Sequence, residues 1–343
     1  MKLYLAILLV ILAVAVADKD DDFLWKSFKL EHRKNHSPEK ELSRKKNFLR
    51  QQRRIEKHNR ENNGWKMAHS RFSDMTDEEK SVVRGARMMK RKPQANDNAA
   101  NFPDDVPRNV LNRALPNYID YRANKCLQPI RDQGHCGSCW AFSAITALEF
   151  SKCKKTGVAV ALSEQMLIDC DHSNSGCGGG DYTKAWQYAY DKGGAMTLTS
   201  YPYVSGAINQ TNVSCKFNSA SVAVNVASYD WTYPYSNATV TMTYLQSFGP
   251  LPTTIKVLDS LFNYASGVYS DPACIVADEN DVDHAVVIVG YGTTKATATA
   301  PATPYWIVRN TWGTGWGLSG YFFIKRGVNM CNIESWTAYV RVV

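Results

Sequence analysis

The sequence predicts an α+β fold with two lobes, one mainly helical and one built on a β-sheet, preceded by a separate helical segment. The first observation is a set of helical patterns over residues 139–155, 162–170 and 181–191, the first of them apolar on nearly all sides. The second is a series of short Val, Ile and aromatic runs nearer the C-terminus, HAVVIVGYG, YWIVRN and GYFFIKRG, which Gly residues separate. The third is that residues 18–92 are highly charged and contain no cysteine. A chain of 343 residues with 44% hydrophobic types can bury more than one core.

The first 17 residues, MKLYLAILLVILAVAVA, are typical of a cleaved secretory signal. Lys2 precedes a long apolar run that ends in small residues suited to cleavage. The run is too short to favour a membrane-spanning helix, and a buried N-terminal element is the alternative. We therefore expect a protein of the secretory pathway, destined for a lysosome, a vacuole or the medium, without a membrane anchor. Sequons at Asn209, Asn212 and Asn237 fit this route.

The positive charge of the chain is concentrated in its N-terminal third. Residues 18–114 hold 24 Lys and Arg against 16 Asp and Glu, a net charge of +8, whereas residues 115–343 hold 15 against 16, a net charge of −1. The larger part thus lacks the basic field that holds nucleic-acid phosphates by counterion release. The sequence therefore predicts no nucleic-acid partner.

The N-terminal third is predicted to contain an amphipathic helix. Ser37 followed by Pro38 is a good helix start, and the Asn-Asn-Gly at 62–64 is a good helix end. Apolar residues recur at near-heptad spacing and are predicted to share one face: Leu42, Phe48, Leu49 and Ile55. Such a basic helix either forms a small independent domain or lies over the remainder of the chain.

A linker separates this part from the larger one. Residues 93–112, PQANDNAANFPDDVPRNVLN, are rich in Pro, Asn and Asp, a composition typical of an exposed segment open to proteolysis. We therefore predict a signal peptide at 1–17, a helical segment with its linker at 18–114, and a main domain at 115–343. The low-complexity run at 293–304, TTKATATAPATP, is predicted to be an inserted surface loop.

Nine cysteines, all in the main domain, indicate disulfide bonds in a secreted protein. They lie at positions 126, 136, 139, 153, 170, 177, 215, 274 and 331. The odd number leaves at least one thiol unpaired. Cys139 is the candidate reactive thiol because it opens the predicted buried helix, where the first-turn amides and the macrodipole favour a thiolate. Cys136 lies on the preceding loop and lacks this position.

A thiol nucleophile needs a general base from elsewhere in the fold. The main domain holds three histidines, of which His135 lies on the loop before the helix and His172 in a polar turn. His284 begins a predicted strand and can face the helix start rigidly. Asn310, at the end of the neighbouring strand, can accept a hydrogen bond from the other ring nitrogen, with Trp312 covering that bond from water. A satisfied core histidine is the alternative role for His284.

Acyl transfer also needs hydrogen-bond donors that face the developing oxyanion. Gln133 lies six residues before Cys139, so its side-chain amide can act alongside the backbone N–H of Cys139. The loss of one such donor typically costs about 3 kcal/mol of transition-state stabilisation.

The stretch QGHCGSCWAFS at 133–143 resembles the active-site sequence of papain-family cysteine proteases. The resemblance extends through SEQMLIDC, GCGGG, DHAVVIVGYG and NTWGTGWG and covers nearly all of residues 115–343. It implies a papain-like two-lobed fold with a helical left subdomain and a β-sheet or barrel right subdomain. It also implies an endopeptidase of protein or peptide substrates that needs no cofactor or metal. It implies that Gln133 is the oxyanion donor, Cys139 the nucleophile and His284 the base. Asn310 would then be the residue that orients His284.

The same resemblance implies a substrate-binding set and most of the disulfide pairs. The substrate-binding set is Gly179, Gly180, Tyr182, Val282, Trp312 and Trp336, and the bulk of Trp336 predicts a shallow apolar pocket. The implied pairs are Cys136 with Cys177, Cys170 with Cys215, and Cys274 with Cys331. A bond between Cys126 and Cys153 is a hypothesis from parity alone.

The N-terminal segment resembles the inhibitory propeptide of the cathepsin L-like branch of this family. The motif residues present are Arg44, Phe48, Ile55, Asn59, Phe72 and Asp74. Four positions depart from the pattern, with Lys40, Gln51, Ala68 and Ser70 in place of the usual Glu, Asn, Gly and Asn. The resemblance implies a monomeric zymogen inhibited by its own propeptide. Because a +8 segment on a −1 body is held partly by carboxylates, we expect acid-triggered processing between Pro93 and Leu115.

Two other classes of function compete with the protease. A redox or zinc role for Cys136-x-x-Cys139 needs both sulfurs free, and zinc usually needs a second pair at matching spacing, which the sequence lacks. A catalytically inactive binding or storage protein of the same fold would typically have lost its nucleophile, and here all four candidate catalytic residues are present.

Overall fold

The fold is described from a computed structural model, which covers residues 20–61, 64–88, 114–208, 214–232, 236–275, 278–298 and 301–343. The predicted signal peptide, the linker at 93–112 and the sequons at Asn209 and Asn212 lie outside these residues. Within them, no helix has the length and apolar character needed to cross a membrane.

The N-terminal segment, residues 20–88, folds around its own small aromatic core. It contains α1 (residues 20–31), α2 (Pro38–Arg60), β1 (Trp65–Met67) and α3 (Asp77–Ser81). Trp25, Phe28 and Phe48 pack together where α1 and α2 meet. A capping box starts α3, with the Thr76 hydroxyl and the Glu79 carboxylate each accepting from the other's backbone N–H.

The predicted apolar face of α2 is only partly correct. Phe48 and Ile55 are buried, but Leu42 is 79% exposed, and the third buried position belongs to Gln51. With about 3.6 residues per turn, Leu42 lies about 120° around the helix from Phe48. The near-heptad spacing therefore predicted a single face for residues that a helix of 3.6 residues per turn places on different faces.

The helical lobe surrounds one buried helix, α4 (Cys139–Thr156), as the sequence predicted. Around it lie α5 (Glu164–Cys170), α6 (Tyr182–Asp191), α7 (Ser205–Ile208) and the paired strands β3 (Ala195–Met196) and β4 (Val222–Val224). Ser163 and Asp181 cap α5 and α6 by accepting from backbone N–H groups, as predicted.

The sheet lobe contains the strands that the sequence predicted near the C-terminus. Its main strands are β2 (Ile119–Asp120), β6 (Leu251–Ile255), β7 (Tyr264–Tyr269), β8 (His284–Thr293), β9 (Pro304–Arg309) and β10 (Tyr321–Lys325). The order is β1-β7-β10-β9-β8-β2, with β6 paired to β8. Helices α8 (Ala238–Phe248) and α9 (Asp259–Phe262) and the ribbon of β5 (Val226–Trp231) with β11 (Ala338–Val342) complete it. The α4 helix packs directly against β8 and β11, so the two lobes meet along α4.

The N-terminal segment adds a strand to the edge of this sheet. β1 runs antiparallel to β7, with Trp65 opposite Gly267 and Lys66 opposite Ser266. A Cβ atom at Gly267 would stand 2.5 Å from the Gly64 carbonyl oxygen, so only glycine allows this close approach. Main-chain pairing thus fixes the segment on the body of the protein.

Four disulfide bonds form, and all four predicted pairs are confirmed. They join Cys126 with Cys153, Cys136 with Cys177, Cys170 with Cys215, and Cys274 with Cys331. Cys139 is the remaining cysteine, and its thiol is free and buried. Because Cys136 is bonded to Cys177, the two sulfurs of the Cys136-x-x-Cys139 pair cannot act as a dithiol redox couple.

Candidate active site

The thiol of Cys139 lies where the two lobes meet. Ser138 is the N-cap residue of α4, so Cys139 occupies its first turn and lies at the positive end of the macrodipole. The Cys139 Sγ atom accepts a hydrogen bond of 3.4 Å from the backbone N–H of Ala285. Ala285 is the second residue of β8, so this contact joins the helical lobe to the sheet lobe.

His284 is adjacent to this contact and is held by Asn310. Its Nε2 atom lies 2.8 Å from the Asn310 Oδ1 atom, and both residues are buried. The backbone N–H of Thr311 donates to the same amide oxygen at 2.8 Å, which fixes the amide orientation. The Trp312 ring stacks on the imidazole with 4.8 Å between centroids. Trp312 therefore covers the His284–Asn310 bond, where the sequence placed it.

Gln133 lies on the loop before α4, and its side chain is buried. Its Nε2 atom donates to the Cys136 carbonyl oxygen at 2.7 Å, and its Oε1 atom accepts from the Thr311 hydroxyl. The same Nε2 atom donates at 3.1 Å to the carbonyl oxygen of Val83, a residue of the N-terminal segment. A buried amide that binds a carbonyl oxygen beside a thiol is placed to stabilise an oxyanion.

The end of the N-terminal segment runs through the cleft between the lobes. Gly180 donates its N–H to the Gly85 carbonyl at 2.8 Å and accepts from the Arg87 N–H at 2.9 Å. Across the cleft, the Ala86 N–H donates to the Asp283 carbonyl at 3.0 Å. Residues 83–87 therefore bind both walls of the cleft in an extended conformation, directly over Cys139.

Burial under this strand changes the acid–base properties of the pair. Burial raises the pKa of the Cys139 thiol to about 11, although hydrogen bonds from the Ala285, Gly85 and Trp140 backbones oppose the shift. Burial also lowers the pKa of His284 to about 4, against the hydrogen bond with Asn310, while the nearby Arg84 charge lowers it further. With the segment in place, thiol and imidazole are both neutral at neutral pH.

Comparison with known proteins decides the family. A profile described as papain family cysteine protease matches residues 115–341, and one described as cathepsin propeptide inhibitor domain (I29) matches residues 25–79. The chain belongs to the papain family of cysteine proteases.

Relatives and solved structures match over most or all of the length of this papain-family chain. Procathepsin L of Felis catus is 37% identical over 330 residues, covering 94% of this chain and 92% of the relative. Cathepsin L of Sarcophaga peregrina is 34% identical over 359 residues and covers 100% of both. The structure of digestive procathepsin L2 proteinase from Tenebrio molitor larval midgut matches with a TM-score of 0.81 at 28% identity, covering 94% of this chain and 99% of that one.

These findings confirm the predicted family, the papain-like fold and a cathepsin L-like cysteine protease made as a zymogen with a propeptide. From here the N-terminal segment is called the propeptide. The four residues predicted to be catalytic lie together around the thiol of this papain-family chain, and their catalytic roles remain predictions.

Of the residues predicted to bind substrate, Gly179 and Gly180 lie next to the propeptide strand in the cleft. Gly180 already pairs with an extended backbone, and the adjacent Gly179 has a φ of 112°, which favours glycine. Tyr182 and Trp336 are buried, and the Tyr182 hydroxyl donates to the Trp336 carbonyl. Val282 is half-buried. Their assignment to a specificity pocket remains a prediction.

Tyr203 is a site residue that the sequence did not single out. Its hydroxyl donates to the Gln133 carbonyl oxygen at 2.6 Å and lies 2.9 Å from the Ser138 hydroxyl. Its ring packs edge-on against Phe142 of α4 at 4.9 Å. One side chain thus ties Gln133, the predicted oxyanion donor, to Ser138, the residue before Cys139. The Tyr-Pro-Tyr at 201–203 is an ordinary loop sequence, so only the fold reveals this contact.

We expect Tyr203→Phe to lower kcat about tenfold and leave KM nearly unchanged, because it keeps the ring but releases the loop that holds Gln133. Tyr201→Phe is the matched control, because its hydroxyl bonds Asp169 at 2.7 Å instead. Steady-state kinetics on the processed enzyme and inhibition by a peptide aldehyde measure the effect. If Tyr203→Phe binds the aldehyde more weakly but is alkylated by iodoacetamide at the normal rate, its oxyanion donor is displaced. An equal loss of kcat in Tyr203→Phe and Tyr201→Phe would contradict this prediction.

We expect the Cys139 thiol of the zymogen to be alkylated slowly, at a rate that changes little between pH 5 and 8. The rate should rise only at higher pH, because burial raises the pKa of Cys139 to about 11. Removing the propeptide exposes the thiol beside an imidazole, which favours the ion pair and lowers the pKa. Iodoacetamide rates across pH, measured on zymogen and processed enzyme, test this. Equal pH profiles for the two forms would contradict it.

Proposed function

We propose that Cys139, His284, Asn310 and Gln133 carry out peptide-bond hydrolysis after the propeptide leaves. The Cys139 thiolate attacks the substrate carbonyl carbon, and the oxyanion forms beside Gln133. His284 gives its proton to the leaving amine, which leaves a thioester on Cys139. Water then attacks the thioester while His284 accepts a proton, and the acid product and the thiol are released. The contact that supports this most strongly is the 2.8 Å bond between His284 and Asn310, directly beside the free thiol.

The propeptide inhibits by occupying the cleft, which keeps substrates away from the thiol. The Val83 carbonyl fills the position of the oxyanion against Gln133, while the Gly85 backbone hydrogen-bonds with Cys139. Arg84 lies 3.5 Å from Asp283 and adds an ion pair across the same cleft. These contacts support a zymogen in which protein and peptide substrates are excluded until processing.

Further contacts hold the propeptide on the body through one carboxylate. Asp259 accepts from Gln51 at 3.0 Å and forms ion pairs with Arg54 and Lys80. Burial raises its pKa, but the hydrogen bond and charge of Lys80 outweigh this and hold the pKa of Asp259 below its ordinary value. A depressed pKa means that this attachment is complete above about pH 4 and is lost only as the pH falls below it.

A half-buried histidine extends the acid sensitivity to milder pH. Burial lowers the pKa of His69 to about 4, the nearby His32 charge lowers it further, and Glu56 opposes. His69 stacks on Phe48 at 4.2 Å in the aromatic core of the propeptide. Because the folded propeptide favours the neutral ring, its stability falls as the pH drops from the ordinary histidine range near 6.5 towards 4.

We expect His69→Phe to shift half-maximal processing to lower pH, because the variant removes a group whose protonation loosens the propeptide. His172→Gln is the control, because His172 is an exposed residue of the helical lobe. Processing is followed by gel electrophoresis between pH 4 and 7. An unchanged midpoint would remove His69 from the acid response.

The route and boundaries follow from the same proposal. Residues 1–17 are a signal peptide, 18–114 a propeptide with its linker, and 115–343 the catalytic domain of a monomer that reaches a lysosome, a vacuole or the medium. The Asn237 sequon is exposed, and its Oδ1 atom caps α8 by accepting from Val240, which leaves the amide nitrogen available for glycosylation.

One experiment separates this function from an inactive binding or storage protein. The purified zymogen is incubated at acid pH, its new N-terminus is sequenced, and the product is treated with a peptide-based covalent thiol inhibitor. We expect cleavage between Pro93 and Leu115, labelling at Cys139 and hydrolysis of a peptide library, all absent in Cys139→Ser. A processed protein that neither labels nor hydrolyses peptides would support the inactive alternative.

A further inference from the structure

The run TTKATATAPATP at 293–304 connects β8 to β9 and has an unusual composition. It holds five threonines, four alanines and two prolines, and its one remaining residue is Lys295. It has no aromatic, acidic or large apolar residue. β8 ends at Thr293 and β9 begins at Pro304, so the run joins two neighbouring strands. Such a composition adds nothing to a packed core, so the role of the run has to be sought at the surface.

The ends of this loop are fixed, whereas its described middle part is open to solvent. The Thr294 N–H donates to the Thr303 carbonyl oxygen at 2.9 Å, and the Thr303 N–H donates to the Thr294 hydroxyl at 2.9 Å. Both of these threonines are half-buried. Residues 295–298, 301 and 302 are exposed, and Thr297 is the threonine among them. Thr297 therefore lies on a stretch that another protein can reach.

The loop lies at the end of β8 that is remote from the catalytic residues. His284 is the first residue of β8 and Thr293 the last, nine residues later. At a rise of about 3.3 Å per residue, the strand separates them by about 30 Å. The remote end is anchored by Tyr291, which pairs with Ile119 and whose hydroxyl donates to the Pro116 carbonyl at 2.8 Å. A group attached to the loop would therefore leave the cleft free.

We propose that Thr297 is an acceptor for O-linked glycosylation. Runs rich in Thr and Pro are typical of O-glycosylated segments. Alanine adds no bulk, and proline lacks the N–H that a helix or a strand ladder needs. A glycosyltransferase can therefore bind the segment as an extended peptide in its own active site. Thr156 provides the contrast, because it is exposed at the end of α4 but its hydroxyl donates to the Lys152 carbonyl within the helix.

The reaction is a group transfer without a change in oxidation state. The Thr297 hydroxyl oxygen attacks the anomeric carbon of a sugar that is activated through phosphate, and a glycosidic C–O bond forms. The C–O bond from that carbon to the phosphate breaks, the phosphate carrier leaves with the bonding electron pair, and the hydroxyl proton passes to a base of the transferase. The sugar is an N-acetylhexosamine where the carrier is a nucleoside diphosphate, and a hexose where the carrier is a lipid phosphate. The proposal rests on the proposed secretory route, where such donors occur, and not on the proposed peptide hydrolysis.

A sugar at Thr297 has a physical consequence for the loop. Exposed loops of small residues are preferred sites of proteolytic nicking, because a protease can take their backbone into its cleft. A glycan is bulky and polar, so it covers the backbone on either side of its threonine. We expect the glycan to protect this loop in a compartment that contains proteases, including further copies of this chain.

The first test locates the sugar on the full-length Cys139→Ala chain, secreted by insect cells with its own signal peptide. Trypsin cuts after Lys295 and Arg309, and mass spectrometry with electron-transfer fragmentation identifies the modified residue in peptide 296–309. We expect a sugar on Thr297, lost in Thr297→Val and kept in Thr156→Val. Its mass separates the two donors, because a nucleotide sugar adds an N-acetylhexosamine and a lipid phosphate adds a hexose.

Three results of this test would overturn the proposal. They are an unmodified peptide 296–309, a phosphate in place of the sugar, and no difference in sugar content between Thr297→Val and Thr156→Val. Because the Cys139→Ala chain lacks the nucleophile, these results do not depend on whether the enzyme hydrolyses peptides. Peptide hydrolysis by the processed parent enzyme is measured separately, and its absence would count against the proposed function alone.

The second test measures the protection of the loop. Pancreatic elastase, which cuts after small residues, is added at neutral pH to the glycosylated Cys139→Ala chain and to the same chain with Thr297→Val. We expect cleavage within residues 293–304 to be about tenfold faster in the variant, because the bare loop enters the elastase cleft. The glycosylated chain after enzymatic removal of its sugars is the control and should match the variant. Equal cleavage rates with and without the Thr297 sugar would overturn the protective role.

Discussion

Replacing His284 by Ala will lower kcat/KM of the processed enzyme by at least about 10³-fold, the scale of loss seen when a nucleophile's base is removed. In the proposed mechanism the imidazole exchanges protons with the thiol and with the leaving amine, and the Asn310 oxygen 2.8 Å away holds its ring in place. Without it, the thiol loses the partner that stabilises its thiolate, so the variant should also alkylate slowly near neutral pH.

His135→Ala is the control for this variant. His135 is exposed on the loop before α4, where the sequence first placed it, and we expect activity within about twofold of the parent. Both variants are processed by an external protease so that self-processing does not confuse the comparison. If His284→Ala retained the parent kcat/KM, another group would have to serve as the base.

Replacing Gly85 by Ala will unblock the zymogen. A Cβ atom at this position would stand 1.8 Å from the Gly137 carbonyl oxygen and 2.4 Å from its carbon, both backbone atoms that cannot move without displacing the start of α4. The propeptide strand must therefore leave its place over Cys139. We expect the intact variant zymogen to react with a covalent thiol probe about 100-fold faster than the parent at neutral pH.

Ser81→Ala is the matched control, four residues earlier in the same segment. Its hydroxyl is exposed and bonds only the Glu78 carbonyl at 2.6 Å among the described residues, so latency should be unchanged. The processed forms of both variants should equal the parent, because the substitutions leave with the propeptide. A Gly85→Ala zymogen that stayed as inert as the parent would show that residues 83–87 do not cause the inhibition.

Much of the catalytic region was predictable because its signals are local. Cys139 follows a loop and opens an apolar helix, and His284 and Asn310 begin and follow strands of clear pattern. Such features depend on residues a few positions apart, which propensity and periodicity describe. Leu42 shows where this approach fails. Its near-heptad spacing predicted a place on the buried face of α2, but a helix of 3.6 residues per turn leaves Leu42 exposed.

Contacts between distant parts of the chain were not predictable in this way. Tyr203 and Gln133 lie 70 positions apart, and Gln51 and Asp259 lie 208 apart. The substitution of Gln51 for the usual Asn was read only as a departure from a motif. The structure shows that Gln51 is buried and bonds both Asp259 and Asn263 of the body, so it contributes to the attachment.

By itself, the sequence determined the helices and strands, the free thiol at a helix start, and the basic propeptide ahead of a nearly neutral body. The tertiary structure alone decided that Cys139 meets Ala285, 146 positions away, and that residues 83–87 close over them. It also decided the neutral state of the buried thiol and imidazole. The physical reason is that pairing across a cleft and loss of solvent depend on how the whole chain packs, and neighbouring residues do not encode them.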